Sequence, residues 1–206
     1  ITAADSYTLN GATGNFNAGD DGVTITSITS TSANTATDVS GAGGLTVTGD
    51  IAATVDITIT VDTLSDLTVG GDITEVDGEV ATIILEDTAI LTFNGASAQA
   101  IAAAIDSDSD NGGVIALSGA GTKTFADAIG GGGTDEIASI TIAADSTAVF
   151  NGVVDALAIT NSGTLSLNNT VDGAALTAVT MNTEASVLNF NATATKDLDL
   201  VITATT

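Results

Sequence analysis

The chain has 206 residues and a net charge of −24, with Lys123 and Lys196 as its only cations. It contains no His, Cys or Arg, which excludes thiol, imidazole and Ser-His-Asp catalysis and leaves only oxygen ligands for a metal. Two cations cannot neutralise a nucleic-acid backbone, and no run of about 20 apolar residues is present to insert into a membrane.

A short alternating segment repeats in the amino-terminal third of the chain. Gly22–Thr26 returns as Gly44–Thr48 and, more loosely, as Asp66–Gly70, each copy 22 positions after the last. Val55–Val61 alternates apolar with polar residues, as a half-buried strand does. Short strands that return at a fixed period, with Gly and Asp turns between them, are typical of a coiled β-solenoid.

The carboxy-terminal part repeats with longer and less regular spacing. Val80–Gly95 aligns without a gap on Ile137–Gly152, and both segments end in Phe-Asn-Gly. Stacking these repeats predicts two apolar columns, one residue per turn of the coil. The first column is predicted to contain Phe93, Phe125, Phe150, Leu167 and Phe190, and the second Ile83, Ile115, Ile140, Leu157, Val179 and Leu200.

These patterns predict an all-β protein, a β-solenoid with rungs of about 17–25 residues, with a β-sandwich or jelly roll as the alternative. The repeat style changes near Gly78, which suggests an N-terminal region 1–79 and a C-terminal region 80–206, or one continuous domain. Ser97–Ile105 is rich in Ala, but its helical apolar stripe is thin, so we expect it to be extended.

Three segments resemble secreted bacterial β-solenoid surface proteins. These are Leu91–Gly95, Ser118–Phe125 and Gly163–Asn168, within a region that covers about Val80 to Phe190. The similarity is to autotransporter passenger domains, to the rickettsial outer-membrane protein B type and to Thr/Ala/Gly-rich surface-layer proteins. The resemblance implies an extracellular structural role. The chain begins at Ile1 without Met, so we expect a mature secreted product.

An acidic loop gives the clearest candidate for a metal site. Asp106, Asp108 and Asp110 alternate with serines, and Ca²⁺ takes six to eight oxygen ligands of this kind. The loop departs from the helix-loop-helix calcium pattern, because Asn111 replaces the turn glycine and Leu117 stands where a bidentate Glu is needed. Calcium is therefore the one cofactor that the sequence suggests, and a solvated surface loop is the alternative.

Three Thr-x-Thr pairs suggest a threonine ladder on an outer face. They are Thr24/Thr26, Thr46/Thr48 and Thr58/Thr60. Stacked threonines of this kind bind ice in some β-solenoids, but threonine is also a favoured residue on strand surfaces. The Thr-x-Thr pattern does not continue into the second half, so we expect the ladder to end there.

The terminal strands are candidates for contacts between subunits, because an unpaired sheet edge joins other chains unless it is covered. The residues expected at such an interface are Ile1, Tyr7, Leu9, Leu198, Leu200 and Ile202. Strand pairing between copies would give a head-to-tail homopolymer. The alternative is that each strand only closes its own end of the coil.

The sequence therefore predicts an extracellular structural protein, the self-assembling subunit of a surface filament or surface layer. The alternative is an adhesin or ligand-binding module for glycan or ice. Catalysis is not expected, because a sugar-cleaving groove needs aromatic platforms beside its carboxylates, and the chain has only five Phe and one Tyr. The partners expected are copies of the chain itself, without nucleic acid or membrane insertion.

Overall fold

The computed structural model shows a parallel β-solenoid of about 8 turns, as the sequence predicts. It describes residues 6–10, 13–32, 35–76, 78–131, 135–169, 176–191 and 201–205. Over these ranges every regular element is a strand, and no helix is present that could span a membrane. Ser97–Ile105 contains the strand Gln99–Ile101 and the start of another, which confirms the extended prediction.

The strands form three parallel sheets. Through residue 117 each turn of the coil contributes one strand to each sheet in the order A, B, C, and among the described residues later turns contribute strands to A and C alone. Sheet A contains β1 (Ser6–Leu9), β4 (Ser27–Ser30), β7 (Ile51–Ala53), β10 (Ile73–Glu75), β13 (Gln99–Ile101), β16 (Gly121–Phe125), β18 (Ser146–Phe150), β20 (Thr164–Leu167) and β22 (Val187–Phe190).

Sheet B has five strands and sheet C nine. Sheet B contains β2 (Gly14–Asn17), β5 (Thr35–Ser40), β8 (Ile57–Val61), β11 (Ala81–Leu85) and β14 (Ala104–Ser107). Sheet C contains β3 (Val23–Ile25), β6 (Leu45–Val47), β9 (Asp66–Val69), β12 (Ile90–Phe93), β15 (Gly112–Leu117), β17 (Ile137–Ile142), β19 (Ala156–Asn161), β21 (Leu176–Met181) and β23 (Val201–Ala204).

The third side of the coil narrows after β14. There sheet B is continued by single bridges from Ile105 to Ile129 and from Ile129 to Val154. Rungs shorten accordingly: Asn151 is bonded to Asn168, 17 positions later, whereas Asp72 is bonded to Ala100, 28 positions later. Pairs β8–β11 and β9–β12 cross the position 79/80, and the division into two regions there stays a prediction.

The core is built from columns of like residues, because each inward side chain stacks on its partner in the next rung. In sheet A, Ile73, Ile101, Phe125, Phe150 and Leu167 are successive partners and are all buried. In sheet C the buried column contains Val23, Leu45, Leu67, Leu91, Ile115, Ile140, Ile159 and Val179.

Three residues of the predicted columns are placed elsewhere. Phe93 lies in sheet C between Val69 and Leu117, and Ile83 lies in sheet B. Leu157 is 45% exposed, and Ile159 takes the inward position opposite Ile140. A local break in the alternation of β19 causes this, because Leu157 and Ala158 both lie outside the core, between buried Ala156 and Ile159. Leu200 lies outside the described residues.

Candidate functional site

The outer face of sheet C carries an in-register column of threonines, which we call the threonine ladder. The first seven members each lie between two buried residues, and neighbouring strands are about 4.8 Å apart. From the first strand to the last, the column contains Thr24, Thr46, Thr68, Thr92, Ala116, Thr141, Thr160, Thr180 and Thr203. Thr141 and Thr203 are exposed, and the others are half-buried.

The expectation that the ladder ends in the first half of the chain was wrong. Threonine occupies eight of the nine positions, with Ala116 as the exception. The pair Thr58/Thr60 belongs to sheet B and is not part of this column. Sequence reading missed the continuation because Gly70 and Asn94 replace the second threonine of the Thr-x-Thr pattern and the spacing of the rungs changes.

The hydroxyl groups of the ladder threonines have no protein hydrogen-bond partner within the part of the chain that the structure describes. Threonines at the corners of the coil behave differently. Thr31 donates to the Leu9 carbonyl at 3.2 Å and Thr48 to the Ile25 carbonyl at 3.3 Å, and Thr54 donates to the Ser30 carbonyl. The ladder therefore presents one free donor and two free acceptor lone pairs at each threonine.

The ladder column itself is uncharged, although the protein carries 26 acidic residues and Asp66 is exposed two positions before Thr68 in β9. No Asp or Glu occupies the nine ladder positions. The positions two residues further on, which continue the same ladder of backbone hydrogen bonds, are also free of charge. They are Thr26, Thr48, Gly70, Asn94, Ser118, Ala143, Ser162, Asn182 and Thr205.

One column of acidic residues lies at the corner that follows sheet B. Asp62, Glu86 and Asp108 extend the ladders of β8, β11 and β14, where their backbone N–H groups donate to Val39, Val61 and Leu85. Burial raises the pKa of Asp62, and the neighbouring Glu86 and then Asp38 raise it further. Like charges are thus stacked rung over rung along this corner.

The structure does not gather the predicted calcium ligands into one group. Asp106 lies on the outer face of β14, where it accepts a hydrogen bond of 3.0 Å from the Ser107 N–H. Burial and the nearby Asp135 raise its pKa, against hydrogen bonds from Ser107 and Gly131. Asp108 and Asp110 are exposed in the following turn. Among the described residues no three carboxylates converge on one point, and calcium binding stays a prediction.

A buried polar corner, which sequence reading missed, joins sheet C to sheet A. Lys123 is fully buried, and its Nζ donates to the carbonyls of Gly119 at 2.8 Å and Gly95 at 3.0 Å. Burial lowers the pKa of this lysine. In the rung before it, Gln99 Nε2 donates to the Gly71 carbonyl at 2.7 Å. The Lys123 ammonium group thus binds backbone carbonyls inside the coil and does not contribute a positive charge to its surface.

The expected interface residues divide between exposed and buried positions. Tyr7 is 43% exposed, and its ring packs edge-on against Phe16 with centroids 4.6 Å apart. Leu9 is buried. Ile202 is 50% exposed at the far end of sheet C, where it pairs with buried Val179. Ile1, Leu198 and Leu200 lie outside the described residues.

Comparison with known proteins adds no relative. No family model, no curated protein and no solved structure matches the chain.

Proposed function

We propose that this chain is an extracellular structural protein that assembles into a filament or surface layer through β-strand contacts between copies. The observation that carries the proposal is the exposure of apolar side chains in β22 and β23, which end sheets A and C among the described residues. Phe190 is 42% exposed, whereas its partner Leu167 in the preceding rung is 1% exposed. Ile202 repeats the contrast in sheet C, at 50% against 0% for Val179.

The exposed side chains at this end form one apolar surface. Val187 and Val201 are 43% and 62% exposed and belong to the same two strands as Phe190 and Ile202. Burying a side chain of this size contributes about 1.5–3 kcal/mol. A further rung laid over this end would extend both apolar columns and would pair the edges of β22 and β23 that have no partner strand within the described ranges.

A second copy can supply that rung, because all pairs in the coil are parallel. In a parallel sheet, the backbone groups at the free edge of the last strand can therefore form hydrogen bonds with the free edge of the first strand of another copy. Contacts between unlike ends do not close on themselves, so they generate an open filament. The net charge of −24 opposes this association, and we therefore expect divalent cations or salt to favour it.

Electron microscopy of the purified chain tests the proposal. We expect ordered fibres or sheets with millimolar Ca²⁺ and fewer with chelator. Ile202→Lys should abolish assembly, because it places a charge in the column of apolar residues. Leu64→Lys, at a residue 71% exposed in a turn between β8 and β9, adds the same charge away from the end and should leave assembly intact. Dispersed monomers of the unaltered chain under both conditions would contradict the proposal.

A further inference from the structure

We propose that the threonine ladder is an ice-binding surface, a function independent of the assembly proposed above. The ladder offers a one-dimensional lattice of hydroxyl and methyl groups, eight threonines over nine strands. With about 4.8 Å between strands, it is about 38 Å long. A partner can engage all nine strands together only if the partner itself repeats at a similar spacing.

The free hydroxyl groups indicate that the partner is water. Each ladder hydroxyl lacks a protein partner among the described residues, in contrast to Thr31 and Thr48 at the corners, whose hydroxyls are bound to carbonyls. A hydroxyl that both donates and accepts can take the place of a water molecule in a hydrogen-bonded lattice. Its methyl group, held beside it in every rung, is apolar and adds no competing hydrogen bond.

A second column gives the face a second dimension. It lies one residue past the end of each strand, at the corner that follows sheet C and at most about 6.8 Å from the ladder. Five of its nine members carry a hydroxyl: Thr26, Thr48, Ser118, Ser162 and Thr205. Thr48 and Thr205 donate to backbone carbonyls and keep their acceptor lone pairs for water. Oxygen atoms repeat at comparable spacings on the principal planes of ice. The two columns together therefore offer a patch onto which an ice plane can extend.

The absence of charge from both columns supports the same ligand. Ionised carboxylates hold a hydration shell that does not fit the ice lattice, and this protein places them outside the two columns, at Asp66 beside the ladder and at corners such as Asp62 and Glu86. The general preference for threonine on strand surfaces does not by itself explain the threonine ladder, because the outward columns of the other two sheets contain other residues. The outer column of sheet B reads Ala36, Thr58, Thr82, Ala104, and sheet A mixes Ala100, Thr124, Val149, Ser166 and Asn189.

Two other repeating partners fit less well. Proteins recognise crystalline polysaccharides with exposed aromatic rings. Neither the threonine ladder nor the second column contains an aromatic residue, and Phe93, Phe125 and Phe150 are buried in the core. A second copy would have to displace water from every ladder hydroxyl, which costs free energy wherever the hydroxyl finds no new partner. Ice leaves each hydroxyl hydrogen-bonded.

Thermal hysteresis and ice-recrystallisation assays on monomeric protein test this inference. We expect the unaltered chain to shape ice crystals and Thr92→Lys, at the centre of the ladder, to lose most of that activity. Thr82→Lys is the matched control, since Thr82 is also half-buried and outward but lies in sheet B. It should retain the activity. Circular dichroism melting of both variants verifies that they are folded.

Three results would overturn the inference. The first is an unaltered chain that neither shapes ice nor inhibits recrystallisation. The second is equal loss of activity in folded Thr92→Lys and folded Thr82→Lys. The third is binding to cellulose or chitin, or ladder-dependent dimers in sedimentation equilibrium, without ice activity. The assays use the monomer, so a negative result would overturn the ice-binding inference and leave the filament proposal untouched. A failure of the chain to assemble would likewise leave the ice-binding inference untouched.

Discussion

The ring of Phe125 stacks on the ring of Phe150, with centroids 4.8 Å apart and planes inclined by 24°. The two residues are register partners in β16 and β18. Phe93 meets Phe125 edge-on from sheet C at 5.4 Å, so the three rings connect two sheets across the core. All three side chains are buried, at the part of the coil where sheet B has been reduced to single bridges.

We expect this aromatic cluster to carry much of the stability of the carboxy-terminal rungs. Phe150→Ala removes a buried ring and its stacking contact with Phe125, and the expected loss in the free energy of unfolding is about 3–5 kcal/mol. Phe150→Leu keeps most of the volume and should cost about 1 kcal/mol. Urea unfolding followed by circular dichroism measures both. A loss below about 1 kcal/mol for the alanine variant would show that the cluster is not a stabilising element.

Successive rungs approach each other closely at Gly44, so we expect a side chain at this position to lower the stability of the coil strongly. This residue has a positive φ of 66°, and a Cβ there would lie 2.7 Å from the Asp66 carbonyl oxygen of the next rung. Gly44→Ala adds backbone strain and a clash that only separation of the rungs relieves, so we expect a loss of about 2–4 kcal/mol.

Gly78 provides the matched control for Gly44. Its φ is 85°, but a Cβ there would meet nothing within 4 Å. Gly78→Ala should therefore cost only the strain of about 1–2 kcal/mol. Equal losses in the two variants, measured by urea unfolding, would mean that the spacing between the rungs does not limit side-chain size at Gly44.

Sequence periodicity predicted the coil, the extended conformation of Ser97–Ile105 and the stacking of Phe125, Phe150 and Leu167. It failed where alternation is interrupted. In β17, Ala138 and Ser139 both lie outside the core, between buried Ile137 and Ile140, and β19 repeats the break one rung later. When strict alternation is counted back from the end of such a strand, one extra outward residue exchanges the inward and outward assignments of all the residues that precede it. The alternation rule therefore assigned Leu157 to the core.

Polar residues inside the coil were a second source of error. Asn161 is fully buried, yet its Nδ2 donates to the Val187 carbonyl at 2.8 Å and its Oδ1 accepts from the Gly163 N–H at 3.0 Å. Such side chains satisfy backbone groups that the corner leaves unpaired. These partners are 2 and 26 positions away, and the register of the rungs has to be known before they can be identified.

Because Lys123 is buried, we expect the free energy of unfolding to increase with pH in the alkaline range. Burial lowers its pKa below the ordinary value in the folded chain. Between the lowered and the ordinary pKa the unfolded chain binds more protons, so the free energy of unfolding increases as the pH rises through this window. Its contribution is fully gained above the ordinary pKa and lost as the pH falls through the lowered one.

Lys123→Met tests this linkage, since methionine has similar length and does not titrate. We expect the urea midpoint of the unaltered chain to rise, relative to that of the variant, as the pH increases toward the ordinary lysine pKa of about 10.4. The difference between the two chains isolates this lysine from the other groups that titrate there. Parallel pH profiles would show that the ammonium group is not destabilised by its burial.

Asp62 predicts a pH dependence at the acidic end. Burial first, and then Glu86 and Asp38, raise its pKa in the folded chain. The folded chain therefore takes up a proton at higher pH than the unfolded chain does. The contribution of this group to stability is fully present below the ordinary carboxyl pKa, and it is lost as the pH rises through the raised value.

Asp62→Asn removes this titration and keeps the shape of the side chain. At pH 7 we expect the variant to have a higher urea midpoint than the unaltered chain, because the repulsion of the Asp62 carboxylate by Glu86 and Asp38 is removed. The difference should close as the pH falls to about 4. Asp145→Asn, at an exposed turn between β17 and β18, removes one negative charge elsewhere and should change the midpoint less. Equal shifts in both variants would mean that net charge, and not the stacking of carboxylates at this corner, governs the stability of the coil.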